Sequence, residues 1–94
     1  MATIRVKQAH SLSVPDAIAK MKDFEDMMAR YMAKATWKGD TAEIKGPGVT
    51  GTIEATASDV TVQLKLGMMA KAAGVDATRL EKSIARRLKE GFEG

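Results

Sequence analysis

The sequence contains no cysteine and only one histidine in 94 residues. The lack of cysteine excludes a disulfide framework, a thiolate metal site and a cysteine nucleophile, and it suits a reducing cytoplasm. The single histidine, His10, lacks the serine and acid partners at a suitable spacing that histidine chemistry needs. We therefore expect His10 to lie in an exposed loop, and we predict no catalytic residue, no metal site and no cofactor.

Aromatic residues are almost as scarce, being limited to Phe24, Tyr31, Trp37 and Phe92. The hydrophobic core must therefore be built from aliphatic side chains and methionines. The seven methionines predict a compliant core or a compliant surface, because the thioether side chain adapts to irregular surroundings. For the same reason, the sheet lacks the aromatic side chains on which single-stranded RNA binders stack bases.

Long apolar segments are also missing. No apolar run approaches the ~20 residues that a membrane-spanning helix needs, and no basic segment leads into an apolar one at the amino terminus. We therefore expect a soluble, cytoplasmic protein. The length predicts a single domain over residues 1–94. The formal net charge of +3 is compatible with nucleic acid or an anionic surface as a partner.

Alternation of apolar and polar residues is the clearest pattern that the sequence does contain. It has the period of a half-buried β-strand. Five segments show it: residues 3–8, 36–38, 42–44, 49–57 and 60–66. Short turn sequences, such as Gly46-Pro47-Gly48 and Ser58-Asp59, separate the later segments. Consecutive strands joined by such turns must pair antiparallel.

Helical spacing occupies much of the rest of the chain. Ser13 is a predicted N-cap with Pro15 in the first turn, and this helix should run to residues 33–35. Asp76 is the predicted N-cap of a last helix that ends near Gly91, and residues 68–73 form a short apolar connector before it. The apolar stripe of the first helix consists of Val14, Ile18, Met21, Phe24, Met28, Tyr31 and Met32. The pattern predicts a two-layer α+β fold, β-α-β-β-β-β-α, in which the helices pack on one face of an antiparallel sheet.

Two features suggest chemistry that their context does not support. The segment from Gly46 to Gly51 matches the dinucleotide pattern G-x-G-x-x-G, but that pattern binds pyrophosphate only where it opens a helix. Here a strand follows and Pro47 removes one N–H donor, so a hairpin turn is predicted. Glu25 falls within the apolar stripe of the first helix, and we expect it at the edge of the stripe with its carboxylate in water.

Two groups of side chains are candidate contact sites. Met68, Met69 and Ala72 could form an adaptable apolar patch for a partner or a hydrophobic particle, or they could simply cover the end of the sheet. On the last helix, four basic residues form a stripe opposite its apolar face: Arg79, Lys82, Arg86 and Lys89. This stripe could meet phosphates or an anionic surface, or it could be an ordinary solvated helix face.

Several short segments resemble one family in their order and spacing. They are Trp37-Lys38-Gly39-Asp40, the segment from Gly46 to Thr52, Leu64-Lys65-Leu66-Gly67, and the closing helix from Leu80 to Leu88. This combination is similar to the polyhydroxyalkanoic acid system family, small bacterial proteins linked to polyester storage granules. The resemblance implies a non-enzymatic accessory protein of granule metabolism with no established site residues. The alanine-rich segment from Ala70 to Ala73 departs from the bulkier residues expected there.

Our first hypothesis is therefore a protein that associates with the polyester granule surface or with a granule protein, using Met68 and Met69 as the contact. The first alternative is a nucleic-acid-binding regulator that uses Arg79, Lys82, Arg86 and Arg87 against phosphates. The second is a small lipid-binding or homodimerising module, in which the sheet and the first helix enclose an apolar ligand or a second subunit.

Overall fold

The computed structural model describes residues 2–72 and 74–93. This part of the chain forms five β-strands and four α-helices. In chain order they are β1 (Ala2–Ala9), α1 (Val14–Lys20), α2 (Lys22–Ala29), β2 (Lys34–Lys38), β3 (Thr41–Gly46), β4 (Val49–Ala55), β5 (Asp59–Leu66), α3 (Met68–Ala72) and α4 (Ala77–Glu93). The predicted α+β class is confirmed.

The five strands form one antiparallel sheet in the order β1-β5-β4-β3-β2. Strands β2 to β5 follow one another as a meander, and β1 pairs along its length with β5. The first and second strands therefore lie at opposite edges of the sheet. Helices α1 and α2 carry the chain from one edge to the other.

The alternation in the strands separates two faces of the sheet. Each strand from β1 to β5 turns its apolar residues toward the helices, and the buried ones on the central strand β5 are Val60, Val62, Leu64 and Leu66. Helix α4 contributes Leu80, Ile84 and Leu88 to the same core. The opposite face carries polar side chains, nearly all exposed. The hydrophobic effect therefore favours packing of the helices on the apolar face of the sheet, as the sequence pattern predicts.

The first helical region differs from the single helix expected over residues 14 to 33–35. It breaks at Met21, where the N–H donates to the Ile18 carbonyl in a tighter, three-residue turn. The second helix ends at Ala29, earlier than predicted. Met21 and the neighbouring Phe24 and Ala17 are all buried, so the helical region keeps its packing against the core across the break.

The predicted starts of the helical regions have the expected capping bonds. The Asp16 N–H donates to the Ser13 hydroxyl at 3.3 Å, and the Arg79 N–H donates to the Asp76 carboxylate at 3.1 Å. The predicted apolar connector is also partly helical, because Met68–Ala72 forms α3; Ala73 lies outside the described residues. The short helix begins two residues after the end of β5.

His10 is half-buried rather than exposed, which corrects the expectation from the sequence. Its Nδ1 accepts a hydrogen bond from the Leu12 N–H at 3.0 Å, so its Nε2 carries the proton and donates to the Thr56 carbonyl at 2.8 Å. The ring also stacks on Phe92 of α4, with 5.3 Å between the ring centroids. One imidazole therefore joins the β1–α1 loop, the β4–β5 turn and the last helix.

We predict that His10→Leu lowers the free energy of unfolding by about 1–2 kcal/mol, because the Leu12 N–H and the Thr56 carbonyl lose their partner. Urea unfolding followed by circular dichroism measures this change. Ser11→Ala, in the same loop and exposed, is the control and should leave the stability unchanged. Equal stability of His10→Leu and the wild type would refute a joining role for the ring.

Candidate surface contact site

Three methionines are the large apolar side chains that remain exposed in the described residues. Met32 is 76% exposed, Met68 86% and Met69 66%. Met32 follows α2, whereas Met68 and Met69 begin α3. Leaving a methionine in water forgoes roughly 1.5–3 kcal/mol of burial free energy, so three of them in a small protein are a clear candidate for a contact surface.

The fold brings the two methionine segments together at one end of the sheet. Met32 and Met69 line a single open groove of about 350 Å³. The other lining residues are Arg30, Tyr31, Pro47, Val49, Ala70 and Val75. We call Met32, Met68 and Met69, together with this groove, the methionine surface. It combines residues from three separate stretches of the chain.

The Gly46-Pro47-Gly48 turn joins these stretches. Gly48 has φ +74°, and a Cβ there would lie 2.6 Å from the Ala70 nitrogen and 2.9 Å from the Met69 Cβ. Gly46 packs on the other side, where a Cβ would lie 2.7 Å from the Ala33 Cα. The Gly48 carbonyl also accepts the Gly67 N–H at 2.7 Å. Two glycines thus allow one turn to contact both methionine segments.

This turn connects β3 to β4, with Gly46 opposite Val49. The predicted hairpin is therefore confirmed, and the G-x-G-x-x-G pattern opens a strand instead of a helix. Gly51 lies within β4, between Ile44 and Leu64 of the neighbouring strands. The first two glycines of the pattern serve close backbone packing.

Met32 has a backbone conformation that glycine would adopt more easily. Its φ is +61°, in the left-handed region that costs most residues about 1–2 kcal/mol. The Ala33 N–H donates to the Met28 carbonyl and the Met32 N–H to the Ala29 carbonyl. These two bonds define a Schellman motif that ends α2, with Met32 at the position where glycine is usual.

The end of α3 offers a direct comparison. There the Val75 N–H donates to the Ala70 carbonyl, and Gly74 takes the left-handed conformation with φ +85°. Glycine thus occupies the left-handed position after α3, while methionine occupies the one after α2. Met32 therefore combines an exposed apolar side chain with a backbone conformation that costs folding free energy, which makes it a candidate contact residue.

Sequence reasoning identified Met68 and Met69 but missed Met32. Periodicity placed Met32 in the buried stripe of the first helix, which is wrong because that helix ends at Ala29. Beyond the helix end, a spacing of three and four no longer predicts a common face. Ala72, the third predicted contact residue, is exposed but does not line the groove.

The predicted basic stripe lies on the outer side of α4. Arg79, Lys82, Arg86 and Lys89 are all exposed, and within the described chain none of them makes an ion pair. Arg79 lies nearest to the methionine surface, since it lines a second depression that shares Tyr31 and Val75 with the groove. The acidic residues Glu81 and Glu90 are also exposed on this helix. A binding role for the stripe stays a prediction.

Glu25 lies at the edge of the apolar stripe, as expected from the sequence, but its carboxylate has a partner in the protein instead of lying simply in water. It is half-buried, and its Oε1 accepts a hydrogen bond from the Trp37 indole at 3.3 Å. Among the residues of the ranges 2–72 and 74–93 whose side chains the structure describes, no polar or charged side chain is buried. Within the same ranges, histidine and acidic side chains do not gather into a group of three that could hold a metal ion.

The family described as "Putative polyhydroxyalkanoic acid system protein" matches residues 4–92. No curated protein and no solved structure matches the chain. Among the helices of the described residues, none has both the length and the apolar character needed to span a membrane.

We predict that Gly48→Ala destabilises the protein by more than 2 kcal/mol, roughly twice the effect of Gly39→Ala. Both glycines have positive φ, +74° and +62°, but a Cβ at Gly39 would meet open space. The difference between the two variants therefore isolates the contact of the turn with α3. Chemical unfolding of both variants measures it, and equal losses would show that this contact does not hold α3 in place.

Proposed function

The chain belongs to the family of polyhydroxyalkanoic acid system proteins, and on this premise we propose that it is a non-enzymatic accessory protein of polyester storage in the cytoplasm. In this proposal it associates with the granule surface, or with a protein on that surface, through the methionine surface. The observation that carries the proposal is the exposure of Met32, Met68 and Met69 at one end of the sheet.

The chemistry of these side chains suits an aliphatic polymer. A polyhydroxyalkanoate presents alkyl groups and ester carbonyls in no fixed arrangement. Methionine is unbranched and flexible, so it can follow an irregular apolar surface better than a branched side chain can. Thioethers supply no acid, base or strong nucleophile at neutral pH. The methionine surface is therefore suited to adhesion, which supports an accessory role.

The strained conformation of Met32 supports the same proposal. A methionine at this position costs folding free energy, and at 76% exposure it recovers little of that cost within the protein. Contact with an apolar surface would recover roughly 1.5–3 kcal/mol for a fully buried methionine side chain. The side chain is thus more useful for association than for folding.

We predict that the double variant Met68→Gln, Met69→Gln binds polyester particles about 30-fold more weakly than the wild type, because two apolar contacts of roughly 1 kcal/mol each are lost. Glutamine keeps the length and helix propensity of methionine. Both residues are exposed, so the stability should change by less than about 0.5 kcal/mol. Co-sedimentation with purified polyester particles at moderate salt measures the binding.

The control for this experiment is the double variant Lys82→Gln, Arg86→Gln on α4, which should bind the particles as the wild type does. Particle binding that does not depend on Met68 and Met69 would refute the proposal. If the protein instead binds nucleic acid, with an affinity that falls steeply with salt and depends on Lys82 and Arg86, the nucleic-acid-binding regulator becomes the better description.

We also predict that Met32→Gly makes the protein more stable and the particle binding weaker. Glycine relieves the left-handed strain, and after its greater unfolded-state entropy is subtracted the gain is about 0.5–1 kcal/mol. Loss of one methionine contact should weaken particle binding about fivefold. Unfolding and co-sedimentation of the same variant measure the two effects.

Met32→Ala is the matched control, because it removes the side chain but keeps the strain. It should weaken binding to the same extent without the gain in stability. If Met32→Gly lowers the stability, Met32 packs in the fold more than its exposure indicates, and the contact role is wrong.

A further inference from the structure

The sheet face that no helix covers carries an ordered set of polar side chains. The strand register places fifteen outward residues in three rows of five across the sheet, and a further outward pair, Ala9 and Asp59, at its far end. Six of these residues are basic and three are acidic, so this face alone accounts for the net charge of +3 of the whole chain. The positive charge of the protein is therefore concentrated on this face.

The row nearest the methionine surface contains three lysines and no acid. Across the strands from β1 to β2 it reads Thr3, Lys65, Thr50, Lys45 and Lys34. We call Lys34, Lys45 and Lys65 the lysine row. With ~4.8 Å between neighbouring strands, it spans about 14 Å across the sheet. All three lysines are exposed.

Each member of the lysine row adjoins one segment of the methionine surface. Lys34 comes two residues after Met32, Lys45 two residues before Pro47, and Lys65 three residues before Met68. This proximity of lysines and methionine surface follows from the topology, because all three segments enter or leave the sheet at the same end. An apolar contact surface therefore has a line of cations along one side.

The two more distant rows are less positive. The middle row carries Arg5 together with Glu43, and the far row carries Lys7 and Lys38 together with Glu54. Lys7 also pairs with Asp59 at 3.4 Å. Within the described residues, the lysine row makes one ion pair, between Lys45 and Glu43 at 3.6 Å. Both of these side chains are largely exposed, so the pair is weak and can exchange for another anion.

An anionic lipid layer fits this combination of apolar and cationic groups. Methionines can enter the acyl region while lysines, with flexible stems, keep their ammonium groups among the headgroups. Nucleic acid offers phosphates but no apolar region for the methionines, and the sheet face has no aromatic residue for base stacking. The arrangement also fixes an orientation, because the apolar side chains and the lysine row share one end.

We propose that the lysine row binds anionic lipid headgroups while the methionine surface inserts beside them, so that the protein stands end-on at the lipid layer. This proposal rests on the proposed association with granules and specifies the surface that the protein meets. The lysine row provides affinity that depends on lipid charge, and the methionines provide affinity that does not.

Vesicle co-sedimentation tests the proposal, with neutral phosphatidylcholine vesicles and vesicles containing phosphatidylglycerol. The triple variant Lys34→Gln, Lys45→Gln, Lys65→Gln should bind the anionic vesicles about 100-fold more weakly, since each lysine near the surface is worth about fivefold in affinity or slightly more. The control Arg5→Gln, Lys7→Gln, Lys38→Gln removes the same charge from the distant rows and should lose less than about fivefold in total.

Three results would overturn the proposal: equal losses for the two triple variants, equal binding of the wild type to neutral and anionic vesicles, or tighter binding to duplex nucleic acid than to anionic vesicles at the same salt. Bare polyester particles separate this proposal from the function on which it rests. The Lys34, Lys45, Lys65 variant should still bind bare particles. Suppose that the Met68→Gln, Met69→Gln variant loses particle binding while the triple lysine variant binds anionic vesicles as tightly as the wild type does. The proposed granule association would then stand, and only the lipid contact would be refuted.

Discussion

The close contact of the Gly46-Pro47-Gly48 turn with its two flanks holds the methionine surface together. The turn lies against Ala33 on one side and against Met69 and Ala70 on the other. Neither contact leaves room for a Cβ on the turn. Because three stretches that are distant in sequence meet there, the methionine surface is a product of tertiary packing and not of any single helix.

The sequence predicted the elements that depend on local pattern. Alternation identified the strands, and Ser13 and Asp76 marked the helix starts, because both signals arise from residues close together in the chain. The pairing of β1 with β5 could not be read in the same way, since it joins Thr3 to Lys65 across most of the chain. The break at Met21 also escaped prediction, because the apolar spacing of Ile18, Met21 and Phe24 continues through it without a signal.

The candidate site was predictable only in part for the same reason. Met68 and Met69 were identified because a methionine pair in a short connector is hard to bury. Met32 was missed because its exposure depends on where α2 ends. Glycine is the usual signal of a Schellman motif, but methionine occupies that position at the end of α2. His10 was expected in water, but its partners Thr56 and Phe92 come from remote segments that only the fold brings near.

The exposed methionines and the hydrophobic core are separate sets of side chains. Met32, Met68 and Met69 contribute little to the core, which Phe24, Ile53 and other fully buried side chains already form. Changes at the exposed methionines should therefore alter the stability of the fold little.

The edge strand β2 has a further consequence. It is short, it pairs on one side with β3, and it carries Lys34 and Lys38 near its two ends. Repulsion between such lysines opposes the docking of one sheet edge onto an identical edge. Identical copies of the protein at high local concentration are thereby kept from pairing edge to edge into fibrils.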